Sequence, residues 1–406
     1  MTPPVSTSPT AAPTPVQTLR ARSSDGIGLH VEVYGNPDGP TVVLSHGWTC
    51  SIRFWWPVIA ALAADYRLVA YDQRGHGGSD RPNHDQYAVP ALAADLAAVL
   101  DTATAGSDRV ILVGHSMGGM TIMAAGQDPA IRARTRAILL ASTGAHDLAH
   151  RATLVPTRLL GRIASRRMLR GASPLGPRTR LSTRLLSYGT LGPKPGRALA
   201  VENATIIHAC PRQTRAGWGR VLEFLDVREG AAALTAPTAV LVGTADRLTP
   251  PVHAEEIAGL VAELHSKTVL PRVGHMSPME DPGVVAALVH ALDEATRDVA
   301  VGPEAARVGA PDGAARVAAA PVLVTADASG ASGAVGGVGG VEPAAASTIS
   351  AAPEAGATTG RATVIAQAGS PETAESLAAA VPADTTPAPA STATSTVPTP
   401  AHQVSE

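Results

Sequence analysis

The sequence predicts an α/β fold, a mostly parallel sheet flanked by helices, and three observations carry that reading. Short apolar runs of strand length recur between residues 41 and 275. Several stop on a polar residue or a Gly-containing turn, as strands do when their carboxyl ends present side chains along one edge of a parallel sheet. The stretch Gly119 to Ala125, directly behind one such stop, reads as a helix.

The first run, Thr41-Val42-Val43-Leu44-Ser45, leads into His46-Gly47-Trp48. The next, Arg109-Val110-Ile111-Leu112-Val113, enters Gly114-His115-Ser116-Met117-Gly118. With a strand before and a helix behind, this Gly-x-Ser-x-Gly pentapeptide has the context of a nucleophile elbow. The turn strains the backbone at Ser116, and Gly114 and Gly118 let neighbouring elements approach it. The plain alternative is a loop serine in a Gly- and Ala-rich chain. Ala137-Ile138-Leu139-Leu140-Ala141 reads as the following strand. Ala239-Val240-Leu241-Val242-Gly243-Thr244-Ala245-Asp246 is a buried strand ending on a carboxylate, and Thr268-Val269-Leu270-Pro271-Arg272-Val273-Gly274-His275 a strand-like run ending on a histidine.

A serine hydroxyl is a poor nucleophile at neutral pH, so Ser116 needs a base, an acid to orient that base, and donors for an oxyanion. The order Ser, Asp, His is the one expected for groups at the ends of successive strands of one sheet. His275 would take the Ser116 proton and return it to the leaving group, while Asp246 would hold the imidazole tautomer. His46, His76 and His115 are read as structural. Asp72 and Asp95 precede the serine, which leaves Asp147 as the alternative acid.

Three further segments resemble signatures of the α/β-hydrolase superfamily. They are the His46-Gly47-Trp48 turn, Tyr71-Asp72-Gln73-Arg74-Gly75-His76-Gly77-Gly78-Ser79, and Gly274-His275-Met276-Ser277-Pro278-Met279-Glu280-Asp281-Pro282. With the elbow they span roughly residues 25–298 in the correct order. The resemblance implies an α/β-hydrolase core over residues 23–143 and 231–298, with a helical cap, residues 144–230, inserted after the sixth strand. It also implies an oxyanion hole formed by the backbone N–H groups of Trp48 and Met117. Epoxide hydrolases and haloalkane dehalogenases resemble this framework with an aspartate at the elbow and a pair of cap tyrosines. Here the elbow holds Ser116 and the cap segment only Tyr188.

The activity this implies is hydrolysis of a small-molecule carboxylic ester through an acyl-enzyme, on small to medium apolar acyl groups. Lipase, thioesterase, lactonase, perhydrolase and carbon–carbon bond hydrolase are variants of the same triad. The competing class is a non-hydrolytic ligand receptor or interaction protein on the same fold. Neither reading calls for a metal or a cofactor.

Composition sets the remaining expectations. Residues 1–22 are rich in Pro, Thr, Ser and Ala and are read as a disordered extension without a secretory signal. From residue 299 onward Ala, Gly, Pro, Ser and Thr dominate without a single aromatic, and three Arg face nine acids. Such a segment cannot bury enough apolar surface to offset its ordering entropy, so residues 299–406 are read as a disordered tail in which Pro321-Val322-Leu323-Val324 and Ser370-Pro371-Glu372 could order transiently. No run suits a bilayer span. Two cysteines, Cys50 and Cys210, suggest unpaired thiols and a cytoplasmic protein.

Two compositional clusters bear on ligands. Trp48, Phe54, Trp55 and Trp56 supply four of eleven aromatics, and Phe54 and Trp55 are candidates for the substrate pocket, with helix packing as the alternative. Residues 148–201 hold ten arginines and Lys194 but no acid. Within them a helix is expected from Pro156 to Gly171 with Arg158, Arg162, Arg166 and Arg170 at i, i+4 spacing. That stripe is either a solvated face or a contact for an anionic substrate or membrane surface. Nucleic acid is not expected, because neither a reading motif nor interleaved aromatics accompany the arginines.

Overall fold

Nine strands form one sheet in the order β1-β2-β4-β3-β5-β6-β7-β8-β9. The strands are β1 (Gln17–Arg22), β2 (Gly28–Gly35), β3 (Thr41–Ser45), β4 (Arg67–Tyr71), β5 (Val110–His115), β6 (Thr135–Ala141), β7 (Thr238–Gly243), β8 (Leu264–Leu270) and β9 (Val322–Val324). The structure, a computed structural model, describes residues 12–105, 108–154, 163, 166, 167, 169, 175–297 and 322–324. Strand β2 runs antiparallel to both β1 and β4, and every later pairing is parallel. The chain divides after Ala331, and all described residues belong to the first unit.

The central strands alternate between two apolar layers. Val110 and Leu112 of β5 join one hydrophobic cluster, with Val43, Val69, Ile138, Leu140 and Val240. Ile111 and Val113 join the other, with Leu44, Leu68, Leu139 and Leu241. Both faces of a parallel sheet are covered, so each position is apolar and the runs look continuous in sequence. The first layer is closed by helices α2 (Val89–Ala103) and α3 (Met117–Ala125), the second by α1 (Trp56–Leu62) and α12 (Pro282–Arg297).

Between β6 and β7 lie helices α5 (Leu148–Arg151), α6 (Arg180–Thr190), α7 (Arg197–Ala209), α8 (Arg212–Phe224) and α9 (Arg228–Ala232). Helices α4 (Pro129–Ala133), α10 (Pro251–Leu260) and α11 (Ser277–Glu280) complete those named. The helical segment is fastened to the sheet edge through polar contacts. Thr214 Oγ1 donates to the Gly75 carbonyl at 2.8 Å, and Trp218 Nε1 and Trp48 Nε1 donate to the carbonyls of Arg74 and Arg215 at 3.2 Å each.

Three boundaries differ from the sequence reading. Gln17–Arg22 is a strand paired with β2, so the expected extension over residues 1–22 ends earlier. Only Ala21 of that strand is buried, which leaves an edge strand almost no apolar signal. Strand β8 stops at Leu270, ahead of Pro271, and His275 stands on the loop that follows. Val322–Val324 pairs in parallel with β8, and the rest of the expected tail lies outside the described residues.

Among the described residues no helix is long and apolar enough to cross a membrane.

Candidate active site

The site begins with the backbone at Ser116, which adopts φ 50° and ψ −118° at the junction of β5 and α3. Such a conformation is costly for a side-chain-bearing residue and persists only where the surroundings enforce it. Here the Ser116 N–H donates to the Ala141 carbonyl at 3.0 Å, and its own carbonyl accepts from Thr143 Oγ1 at 2.7 Å. A Cβ at position 118 would lie 1.9 Å from the Ser45 carbonyl oxygen, and one at 114 would lie 2.6 Å from Gly118. Glycine at both positions is therefore a requirement of packing.

Three side chains converge on this turn. His275 Nε2 lies 3.0 Å from Ser116 Oγ, and His275 Nδ1 lies 2.9 Å from Asp246 Oδ2 and 3.1 Å from Oδ1. All three residues are buried, at 8% exposure or less. The carboxylate accepts from Nδ1–H, which leaves Nε2 with a lone pair aimed at the serine hydroxyl. The arrangement can take a proton from Oγ as Oγ attacks an electrophile, and can return it afterwards.

Asp246 is itself anchored. Its Oδ1 accepts from the N–H groups of Leu248 and Thr249, both at 2.9 Å, and its Oδ2 from Thr249 Oγ1 at 2.9 Å. The His275 loop is held from two sides. The Thr190 carbonyl at the end of α6 accepts from the N–H groups of His275 and Met276 at 2.8 and 3.1 Å. Partly buried Glu280 accepts from the N–H groups of Gly192 and Gly274 at 2.7 and 2.9 Å, and desolvation pushes its carboxyl above the usual range. Glu280 and Thr190 escaped the sequence reading because their roles run through contacts distant in the chain. Thr249 lies three residues past Asp246, and a hydroxyl so close behind a strand-ending aspartate was the only available signal for it.

His46 and His76 are neutral supports. His46 Nδ1 donates to the Gly47 carbonyl at 2.8 Å and Nε2 accepts from Gln73 N at 3.0 Å, while burial pulls its pKa down to about 4. His76 Nε2 accepts from Thr49 N at 3.2 Å, and burial takes its pKa down to about 3. Asp72 accepts from Ile52 N and Gly78 N, both at 2.8 Å, and so ties the Asp-x-Arg-Gly loop to the segment after Trp48. Arg74 is fully buried and pairs with Asp25 and Asp95 at 2.7 and 2.6 Å.

Of the two residues expected to supply oxyanion donors, Met117 follows Ser116 in the chain and Trp48 follows Gly47. A Cβ on Gly47, the neighbour of Trp48, would lie 3.0 Å from Ser116 Cβ. Among the described residues, the Trp48 N–H donates to no backbone carbonyl. Asp147, the alternative acid, lies apart from this group and pairs with His150 at 2.5 Å. Phe54 and Trp55, expected either at the substrate pocket or in helix packing, are 0% exposed. Phe54 stacks on His115 with ring centroids 4.4 Å apart, and both aromatics belong to the second apolar layer. Of the arginine stripe, Arg158, Arg162 and Arg170 lie outside the described residues, and Arg166 stands 3.6 Å from Glu223.

A serine on a strained strand-to-helix turn, facing a histidine and an aspartate from later loops of a mostly parallel sheet, defines the α/β-hydrolase class. Residues 42–288 match the alpha/beta hydrolase family, and the chain belongs to it; it is an enzyme of that superfamily. The assigned carbamate hydrolase RutD of Variovorax paradoxus is 32% identical over 263 residues, 63% of this chain and 92% of that protein. Epoxide hydrolase A of Mycobacterium tuberculosis is 28% identical over 321 residues, 68% of this chain and 97% of its own. Among solved structures, an esterase from Rhodococcus sp. ECU1013 superposes with a TM-score of 0.58 at 26% identity, covering 69% of this chain and 99% of that one.

Proposed function

We propose that the protein is a serine hydrolase that cleaves carboxylic esters of small to medium apolar acyl groups. The observation that carries this reading is the continuous hydrogen-bonded line from Ser116 Oγ through His275 to Asp246. Ser116 Oγ attacks the ester carbonyl carbon as His275 Nε2 takes its proton. The N–H groups of Trp48 and Met117 hold the resulting oxyanion. Collapse expels the alcohol, which carries that proton away, and leaves an acyl group on Ser116. Water, deprotonated by the same imidazole, then releases the acid and restores the serine. Asp246 keeps the proton on Nδ1 and stabilises the imidazolium throughout. The helices between β6 and β7 act as the cap over this chemistry, and reduced Cys50 and Cys210 fit a cytoplasmic setting.

Similarity to the carbamate hydrolase supports a second reading, since a carbamate carbonyl can be attacked by the same serine. Similarity to the epoxide hydrolase carries less weight, because Ser116 stands where that chemistry is expected to use a carboxylate. The experiment is labelling with a fluorophosphonate probe, followed by turnover of p-nitrophenyl esters of increasing acyl length and of matched carbamates. Labelling of wild type but not of Ser116→Ala, with faster ester than carbamate turnover, is expected. Labelling without turnover of any substrate would point to a receptor, and absence of labelling would refute the nucleophile.

A further inference from the structure

A cavity of about 850 Å³ opens beside helices α6 and α7, and six cations line it: Arg178, Arg180, Arg184, Lys194, Arg197 and Arg247. Its lining includes no carboxylate, and none of Ser116, Asp246 and His275. Arg178, Arg180, Arg184, Lys194 and Arg197 make no ion pair among the described residues. Arg247 makes no ion pair among the described residues; its Nη1 donates to the Tyr188 carbonyl at 2.9 Å, and its guanidinium lies 4.3 Å from the Tyr188 ring centroid. Glu202, the nearest acid along α7, is already held by Arg53.

Like charges gathered around one cavity repel one another, and folding alone gives no reason to assemble them. The backbone makes the same point. Lys194 adopts φ 59° between Pro193 and Pro195, a left-handed conformation that a residue before proline rarely takes. The flanking prolines restrict the loop that carries Lys194 at the cavity, which lowers the entropy lost when it engages a ligand. Thr183 and Ser187 add hydroxyls to the lining, and Ala200, Val201 and Ala204 an apolar wall.

We propose that this cavity binds a phosphate-bearing ligand carrying more than one negative charge. Guanidinium forks match phosphate oxygens bidentately, and six cations far exceed what a single carboxylate would need. The phosphate has two sources. It belongs either to a soluble small molecule or to the headgroup of an anionic phospholipid, for which Leu181 and Leu185, 66% and 63% exposed on α6, would supply adjacent apolar contact. The site differs from the expected stripe at residues 158–170, and it is independent of the serine chemistry.

The test uses the full chain at low and at physiological salt. Calorimetric titration with inorganic pyrophosphate addresses the soluble source, and co-sedimentation with phosphatidylglycerol against phosphatidylcholine vesicles the lipid. The triple variant Arg184→Gln, Lys194→Gln, Arg197→Gln removes three exposed charges that hold no partner, so its melting transition should persist. It should bind at least about tenfold more weakly, and wild-type binding should fade with salt. Ser116→Ala should bind like wild type, which separates this site from the proposed hydrolysis. Pyrophosphate binding lost in the triple variant establishes a soluble ligand; vesicle binding alone, lost in the same variant, establishes the headgroup. Binding of neither, or binding that the triple variant retains, overturns the proposal. Should the triple variant not fold, Arg184→Gln alone, with a loss of about twofold or more, carries the comparison.

Discussion

His115, the residue immediately before the elbow serine, donates from Nε2 to the main-chain carbonyl of His275 at 2.8 Å. The turn that presents Ser116 thus also holds the backbone of the residue facing it. Burial keeps His115 neutral, its pKa well below the ordinary histidine range, and its Nδ1 has no partner. An imidazolium here would face His275, whose ring centroid is 5.0 Å away. His115 is a positioning residue in this arrangement.

His115→Phe should keep the stack on Phe54 and lose the hydrogen bond. One such bond contributes about 1 kcal/mol, so kcat should fall by roughly fivefold with KM little changed. A change confined to KM or to melting temperature would show that the bond serves only the fold.

Replacing Ser116 with Ala should abolish acyl-enzyme formation and lower kcat by at least about 10⁴-fold, and His275→Ala should match it. The double variant should be scarcely worse than either single, because one proton-transfer unit fails in each. Losses that multiply would mean that the two residues act separately.

Asp246→Asn should keep the fold, which Thr249 and the neighbouring N–H groups support, yet cost about 10⁴-fold in kcat by favouring the wrong imidazole tautomer. Asp147→Asn should leave kcat nearly unchanged. The reverse order of damage would move the acid to the loop after β6.

Stability should depend on four buried histidines. Burial lowers the pKa of His46 and His253 to about 4 and of His76 to about 3, and holds that of His115 well below the ordinary histidine range. The unfolded chain takes up these protons near pH 6.5 and the folded chain does not, so stability is complete above that value and declines as pH falls. Each histidine contributes a slope of up to about 1.4 kcal/mol per pH unit below it. Asp72, Asp95 and Glu280, raised by burial, act in the opposite sense at the carboxylate end of the range. Urea unfolding at pH 7 and pH 5 should show a loss of stability of several kcal/mol at the lower pH. Equal stability at both would mean that the folded protein admits these protons.

The sequence by itself determined the parallel core and singled out Ser116, Asp246 and His275, which the fold brings within hydrogen-bond distance of one another. Strands β3, β5, β6 and β7 are covered on both faces, so burial wrote itself into continuous apolar runs, and the chemistry sits where those runs stop. Gly114 and Gly118 betrayed the elbow because only a hydrogen atom fits against Gly118 and Ser45. Tertiary structure decided the rest. Strand β1 is paired although Ala21 alone of its residues is buried, and Phe54 and Trp55 fill the core although their composition equally suited a pocket. Asp246 lies beside His275 and Asp147 does not, a choice made by loop geometry after each strand. Thr190 and His115 hold the His275 backbone through a carbonyl and a ring nitrogen, and Arg247 joins cations from residues 178–197 around one cavity. Periodicity records whether a residue is covered; which distant group covers it is set by how helices and loops pack, and local sequence carries no trace of that choice.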